Sequence, residues 1–561
     1  MDKYAIENVR KDVLGNNVLF NTPFGERHLL YADYTASSRG VRSIEDSIIN
    51  ILKSYANTHT EDAYSGKYLT NLLHKAEANI KKFVNAGDHG KIIATGSGTT
   101  GALKKLQEIL GIYLPPVTKE KIFNSISESG EFCQRTLERI KKDRPVVFIG
   151  PYEHHTNELM WREAFVEVVK IGLDQHGLID LKNLEDRLSD SKYKNRQKMS
   201  SFSAGSNITG IKTKVYDIAR ICHEYNSLVL FDFAAVAPYV EINMNRDDRA
   251  YFDAIFFSPH KFLGGPGSSG VLVFNERIYR RDLPPTTTGG GTVIYVGFNT
   301  HEFSNDIETR EKAGTPPILQ TIKASLAMEL KENIGIKAID EIETRHKKYF
   351  IGELENIENL EIIGSVPPEH RVPIVSFNIR HNEKILHPKF VTKLMSDLFG
   401  IQSRGGCSCA GPYGHILLDI GQEQSLKIRN LILKGFEGFK SGWVRLNVHY
   451  IMTEEDVDYI LKAIKFIACS GHLFLKKYSF NLKTGEWKYI GFYEEETDFS
   501  VDEDFEPRTV KLSKLQKLRA SYIKKAEELA VELKKEKEVI FARDIDAVEE
   551  IKFFDYINKA L

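Results

Sequence analysis

Residues 254–275 read "AIFFSPHKFLGGPGSSGVLVFN", two short apolar runs rich in aromatic and β-branched residues on either side of a glycine-rich turn. Each run predicts a buried strand. The turn carries Lys261, just ahead of the pair Gly264–Gly265. A lysine sheltered from water loses part of its preference for the charged form, and a neutral amine can attack an aldehyde.

Outward from this stretch the same punctuation repeats. "KIIATG" (91–96), "PVVFIGP" (145–151), "FVEVVKI" (165–171), "SSFSAG" (200–205) and "SLVLFDF" (227–233) read as strands. Between them "TTGALKKLQEIL" and "VYDIARICHEYN" have the apolar spacing of amphipathic helices. Strand alternating with helix predicts an α/β fold: a mostly parallel, seven-stranded sheet covered on both faces. In such folds ligands bind beyond the carboxyl ends of the strands.

Beyond this large domain a smaller α+β domain is expected, with "LAMELKENIGIKAIDEIETRHKKYFIGELENI" (326–357) helical and "VPIVSFNIR" and "WVRLNVHY" as strands. The remainder combines the acidic stretch "EEETDFSVDEDFE" (494–506) with a Lys/Glu-rich helix at 511–538. The expected division is an N-terminal arm over 1–25, a large domain over 26–330, an α+β domain over 331–470 and a C-terminal helical extension over 471–561. The apolar stripe of the last helix suits packing on the body of the protein, with partner docking as the alternative.

A net charge of −1 on 561 residues, with no basic block, gives no reason to expect nucleic acid. The mixed-charge N-terminus "MDKYAIENVRKDVLG" lacks the apolar core of a secretory signal, and no apolar run approaches the length of a membrane span. A cytoplasmic enzyme without a membrane partner is expected. Cys133, Cys222, Cys407, Cys409 and Cys469 are too few and too scattered for a disulfide framework, and Cys407 with Cys409 is one pair without a partner pair, so no metal site is expected.

The residues that follow each strand are chemically distinctive. "TGSGTTGALKK" leads glycines and hydroxyls into a helix start, where backbone N–H groups favour an anion such as one phosphate. Asp232 follows an apolar run, so its carboxylate calls for a cationic partner, which a protonated pyridine nitrogen would supply. His154 offers a flat ring for stacking, and Asn207 an uncharged amide for a phenolate. Taken one at a time, a helix cap, a salt bridge, a structural histidine and a loop asparagine explain them equally well. Together with Lys261 they match the functional groups of pyridoxal 5′-phosphate (PLP).

The stretch around Lys261 resembles the Ser-x-His-Lys signature of class V fold-type I PLP enzymes, and over about residues 25–470 the chain looks most like the cysteine desulfurase and selenocysteine lyase group. "YADYTASS" (31–38), "GPYEHHTN" (150–157) and "SNITG" (206–210) are similar to further family segments in the same order. The resemblance implies Lys261 as the Schiff-base lysine, a phosphate site of Thr99, Thr100, Ser258 and His260, and ring contacts from His154, Asn207 and Asp232. "PPTTTGGGTV" (284–293), with Gly290, resembles a segment that reaches a neighbouring subunit's phosphate, which implies a homodimer.

"GWVRLNVHY" resembles the strand whose arginine clamps the substrate α-carboxylate, here Arg445, and His59 is a further substrate-binding candidate. "SRGGCSCAGP" (403–412) resembles the desulfurase loop, which places Cys409 at the nucleophile position and Arg404 at its arginine. The implied reaction converts an amino acid, foremost cysteine to alanine, with the sulfur kept as a persulfide for an acceptor protein. Three departures stand out: Ala235 where the family usually has glutamine, Cys407 where histidine is common, and a longer segment between Cys409 and Arg445. They keep open another class V reaction (transamination, epimerisation or Cβ cleavage) and Cys407 as nucleophile; a low-turnover PLP-fold protein that binds or relays sulfur, engaging a partner through its C-terminal extension, is a further alternative.

Overall fold

The structure, a computed structural model, describes residues 3–557 except 59, 61, 97, 129–130, 365, 494–499, 503–505, 538–540, 543–548 and 550, and the side chains of 127–132. His59 and most of the acidic stretch 494–506 therefore lie outside the described residues. The chain forms two compact units. The first comprises Met1–Ala5, Ser37–Asn207 and Ile211–Ala338, and the second Ile6–Ala36, Ile208–Gly210 and Ile339–Leu561.

The first unit is built on the expected seven-stranded sheet. Its strands are β1 (Gly90–Thr95), β2 (Val146–Ile149), β3 (Glu167–Lys170), β4 (Lys198–Ser203), β5 (Ser227–Asp232), β6 (Ala254–Phe257) and β7 (Gly270–Asn275), in the order β1-β7-β6-β5-β4-β2-β3. The pairings from β3 through β6 are parallel, and only β7 runs against its neighbours β6 and β1. With β7 reversed between them, β1 and β6 point the same way. The carboxyl ends of β1, β2, β4, β5 and β6 consequently share one edge.

Central strands such as "VVFI" and "AIFF" are apolar on both faces because helices cover both, which is why they read as continuous runs. One core face joins Val147, Ile149, Leu230, Phe256 and Leu272 of the sheet to Ala102, Leu103 and Leu106 of α1 (Gly98–Ile109) and to Trp161 of α2 (His155–Glu163). On another helix, α3 (Val215–Glu224), Ile218, Ala219 and Cys222 are buried. The helix expected over 326–357 is two helices, Ile318–Ile334 and Ile336–Glu355. Gly335, at φ +91°, takes a conformation that L side chains rarely adopt and ends the first of them.

The second unit holds an antiparallel sheet of β8 (Leu360–Ile362), β9 (Ile374–His381), β10 (Arg404–Gly406) and β11 (Trp443–Asn447), ordered β8-β9-β11-β10. Helices α4 (Pro388–Phe399), α5 (Glu454–Ser470) and α6 (Leu515–Lys535) belong to this unit. The charged helix α6 is packed rather than solvated all round: it buries Arg519, Tyr522, Ala526, Ala530 and Leu533.

Candidate functional site

In the first unit the expected groups gather along the shared edge of the sheet. Asp232 is the last residue of β5 and is buried, accepting a hydrogen bond from the Ala234 N–H at 2.8 Å. Burial lifts its carboxyl to about 6, while the Ala234 N–H and the charge of nearby Lys261 pull the other way. A carboxylate held this far from water suits a cation brought in by a ligand, as a pyridinium would be.

Lys261 ends a single 3₁₀ turn, Pro259–Lys261, that begins directly after β6 and Ser258. It is half-buried, so the sheltered amine expected from sequence is reachable rather than sealed in the core. The tight return that follows needs glycine: at Gly264, φ is +81° and a Cβ would come within 2.3 Å of the Ile44 Cδ1. Neighbouring His260 bonds the Ser37 hydroxyl through Nδ1 at 3.1 Å, and burial beside Lys261 brings its pKa down to about 4, so it stays neutral near pH 7.

Ser258 reaches across to the start of α1. Its Oγ accepts the Thr99 N–H at 2.8 Å and lies 2.6 Å from the Thr99 Oγ1. Gly98, at φ +58°, would place a Cβ 2.8 Å from that same Oγ. The Thr100 hydroxyl meets that of Thr156 at 2.9 Å, and the Thr156 N–H donates to the His154 Nδ1 at 3.1 Å, which caps α2 and fixes the ring. The hydroxyls of Ser258, Thr99, Thr100 and Thr156 thus gather at a helix N-terminus, a donor set suited to a phosphate dianion. Asn207 is buried beyond the end of β4. Ala235 is also buried and offers no side-chain donor, and Gly290 lies exposed in its loop.

Sequence reading passed over Glu153, although it stands in the quoted "GPYEHHTN". Its carboxylate is buried and accepts from the Gly150 N–H (3.0 Å), the Ser203 N–H (3.0 Å), the Ser203 hydroxyl (2.6 Å) and the Asn157 amide (2.6 Å). Burial raises it to about 7 even though these donors favour the anion. It ties the ends of β2 and β4 to α2, and so to His154. An acid after an apolar strand, as at Asp232, was the signal available.

In the second unit Arg404 and Arg445 face each other as register partners of β10 and β11. Between them stands Asp33, which the sequence reading also passed over. It accepts from the Arg404 Nε at 2.9 Å and from the Arg445 Nη2 at 3.0 Å. Arg445 is buried and Arg404 half-exposed. Burial lowers the Arg445 pKa; the Asp33 carboxylate acts to raise it, and the neighbouring Arg404 to lower it further. Cys409 lies three positions past Gly406, the end of the strand that sets Arg404 opposite Arg445. Both it and Cys407 are exposed, in a turn where Ser408 (φ +53°) and Cys409 (φ +58°) are left-handed.

The family model for class-V aminotransferases matches residues 118–460. The chain belongs to that family. Class-V aminotransferases are PLP-dependent enzymes, and this one is similar to probable cysteine desulfurases of Halalkalibacterium halodurans (25% identity over 389 residues, 68% of this chain and 84% of the relative) and Staphylococcus epidermidis (25% over 460 residues, 81% and 96%). Its fold matches that of an apo cysteine desulfurase from Thermococcus onnurineus with a TM-score of 0.63 and 22% identity, over 82% of this chain and 98% of the other. A cysteine desulfurase from Escherichia coli follows with a TM-score of 0.59 and 18% identity, over 82% and 97%. Among the described residues, no helix of this class-V enzyme is long and apolar enough to cross a membrane.

Proposed function

We propose that this class-V enzyme is a PLP-dependent, desulfurase-like lyase that takes the sulfur from cysteine and releases alanine. The observation that carries the reading is Cys409, exposed on its turn just past the strand that sets Arg404 opposite Arg445. The polar groups along the sheet edge fit PLP chemically. Ser258, Thr99, Thr100 and His260 would hold its phosphate, and His154 would cover its ring. Asn207 would bond its phenolate, Asp232 would keep its nitrogen protonated, and Lys261 would anchor it. Bound there, PLP supplies an electron sink for charge that develops at the substrate Cα.

The chain's own groups do the rest. Arg445 holds the α-carboxylate with its planar fork. Lys261, as a neutral amine, moves the Cα proton. The Cys409 thiolate attacks the substrate sulfur: the S–S bond forms as the Cβ–S bond breaks, and the electron pair of that bond returns to the carbon side, which takes up a proton and leaves as alanine. The persulfide then awaits a thiol acceptor, a partner protein in this reading. The test is Cys409→Ala, which should abolish alanine and sulfide release from L-cysteine; full activity in that variant would end the reading. A second reading on the same scaffold, such as transamination, draws support from Ala235, which withholds a donor usual in the family.

A homodimer and a cytoplasmic setting belong to the proposal. The hairpin Val293–Val296/His301–Phe303 exposes Ile294, Tyr295, Val296 and Phe298, an apolar tip that suits burial against a second copy and follows directly on Gly290. All five cysteines are free, in keeping with a reducing compartment.

A further inference from the structure

Arg404 and Arg445 sit directly opposite one another on neighbouring antiparallel strands. Like charges so placed repel unless something stands between them. Asp33 does, with one carboxylate oxygen on each guanidinium. Its backbone is fixed by several contacts. The strand Leu30–Tyr31 pairs in parallel with Ile401–Gln402, the Ala32 N–H donates to the Gln402 carbonyl at 2.9 Å, and the Asn447 N–H, at the end of β11, donates to the Ala32 carbonyl at 2.8 Å. Asp33 itself is 8% exposed. A carboxylate so held cannot swing away with either arginine.

The charge count follows: two guanidinium groups and one carboxylate leave the cluster at +1. A substrate carboxylate neutralises it, so that the thiolate then meets a neutral rather than an anionic cluster. The anions at issue are the Cys409 thiolate and a substrate carboxylate. Among the described residues, the charged and titratable groups on the segments that flank the Cys409 turn include Arg404 on β10, its partner Arg445 on β11, Asp33 between them, Cys407 within the turn, and Tyr413 and His415 on the helix Gly411–Leu417 that follows it, with Arg371 beside Tyr413. Burial holds the Tyr413 hydroxyl up at about 12, which keeps it neutral.

We infer that Asp33 is a positioning residue for both substrate and nucleophile: by bridging Arg404 and Arg445 it fixes the Arg445 fork and holds the cluster at one positive charge, matched to an amino acid with a single carboxylate. The inference rests on the desulfurase reading for the identity of that carboxylate and for the role of Cys409. The setting of the cluster's charge rests on the ion pairs alone.

The experiment measures iodoacetamide alkylation of Cys409 against pH in the full chain, in a Cys407→Ser background, by peptide mass spectrometry. Asp33→Asn removes a negative charge and should move the midpoint toward acid by about half a unit or more, whereas Asp33→Glu, which keeps the charge, should leave it in place. Arg404→Gln, at a half-exposed position that tolerates change, should move it the other way. In parallel, Asp33→Asn should raise the KM for L-cysteine several-fold, with kcat changed less. An unmoved midpoint in Asp33→Asn, or equal shifts in Asp33→Asn and Asp33→Glu, would overturn the inference. Should Asp33→Asn not fold, an unmoved or acid-shifted midpoint in Arg404→Gln overturns it equally. If the midpoints move as stated while the parent protein makes no alanine, the desulfurase reading fails and the charge-setting role of Asp33 stands.

Discussion

The Ser258 Oγ accepts the Thr99 N–H at 2.8 Å and lies 2.6 Å from the Thr99 hydroxyl, although 159 positions separate the two residues. The contact joins the end of β6, where Lys261 follows, to the first turn of α1. The lysine that would anchor the cofactor and the helix start that would hold its phosphate are therefore set by one side chain.

Ser258→Ala removes that link. Stability should fall by about 1 kcal/mol, the usual worth of such a hydrogen bond. PLP affinity, read by titrating cofactor into stripped protein, should fall about tenfold or more, because an anion site loses both a hydroxyl and its alignment. Unchanged affinity would remove Ser258 from the phosphate cradle.

Glu153→Gln should be costly despite its similar shape. One carboxylate oxygen takes two backbone N–H groups and the other the Asn157 amide beside the Ser203 hydroxyl, so a glutamine nitrogen in either place faces at least one N–H donor head-on. A loss of about 2–4 kcal/mol in urea unfolding is expected, as for a broken buried network. Glu153→Ala, which removes the mismatched donor along with the carboxylate, tests whether the mismatch dominates: it should cost no more than Glu153→Gln.

The pH dependence of stability follows from the same edge of the sheet. Asp232 is raised to about 6 and Glu153 to about 7 in the folded chain without cofactor. The folded state therefore binds protons more tightly than the unfolded one. The stability this contributes is full below the ordinary carboxylate range and is lost as pH rises through about 7. For Asp232 alone the linkage is worth about 3 kcal/mol. A pyridinium beside Asp232 would offset its share, so PLP should raise Tm more at pH 8 than at pH 5. Equal increments at both values would contradict the pairing of Asp232 with a cation on the cofactor.

The apolar hairpin tip makes a separate prediction. Ile294→Asp with Phe298→Asp, both at exposed positions, should leave the fold intact and shift the particle from dimer to monomer by sedimentation. A parent protein already monomeric, or a variant that remains dimeric, would place any interface elsewhere.

Central strands of the large sheet were legible because runs such as "VVFI" or "AIFF" are short, apolar on both faces and bounded by glycine, proline or a charge. The residues just past those strands were legible for the same reason. Asp33 and Glu153 were not, because their partners are distant in sequence: Asp33 meets arginines more than 370 positions away, and the serine at Glu153 lies 50 away. The break at Gly335 stood in plain sight within "NIGIK", yet the apolar periodicity on both sides favoured one long helix. The hairpin Tyr478–Asn481/Glu486–Tyr489 went unread, because "SFNLKTGEWKY" has few β-branched residues to mark its strands. Its ring contacts are to partners such as Phe390, Phe24 and Tyr556, which spacing alone does not reveal.

The central claim is that PLP on Lys261 and a thiolate at Cys409 together take sulfur from cysteine. The most direct measurement mixes stoichiometric L-cysteine with the PLP-loaded protein, quantifies alanine, and locates added sulfur by mass spectrometry of the peptide that holds residues 403–412. Alanine equal to the sulfur gained, with that sulfur on Cys409 and none in Lys261→Ala, is the predicted result. Alanine without a persulfide on Cys409, or no alanine from a protein that carries the cofactor, would contradict the account.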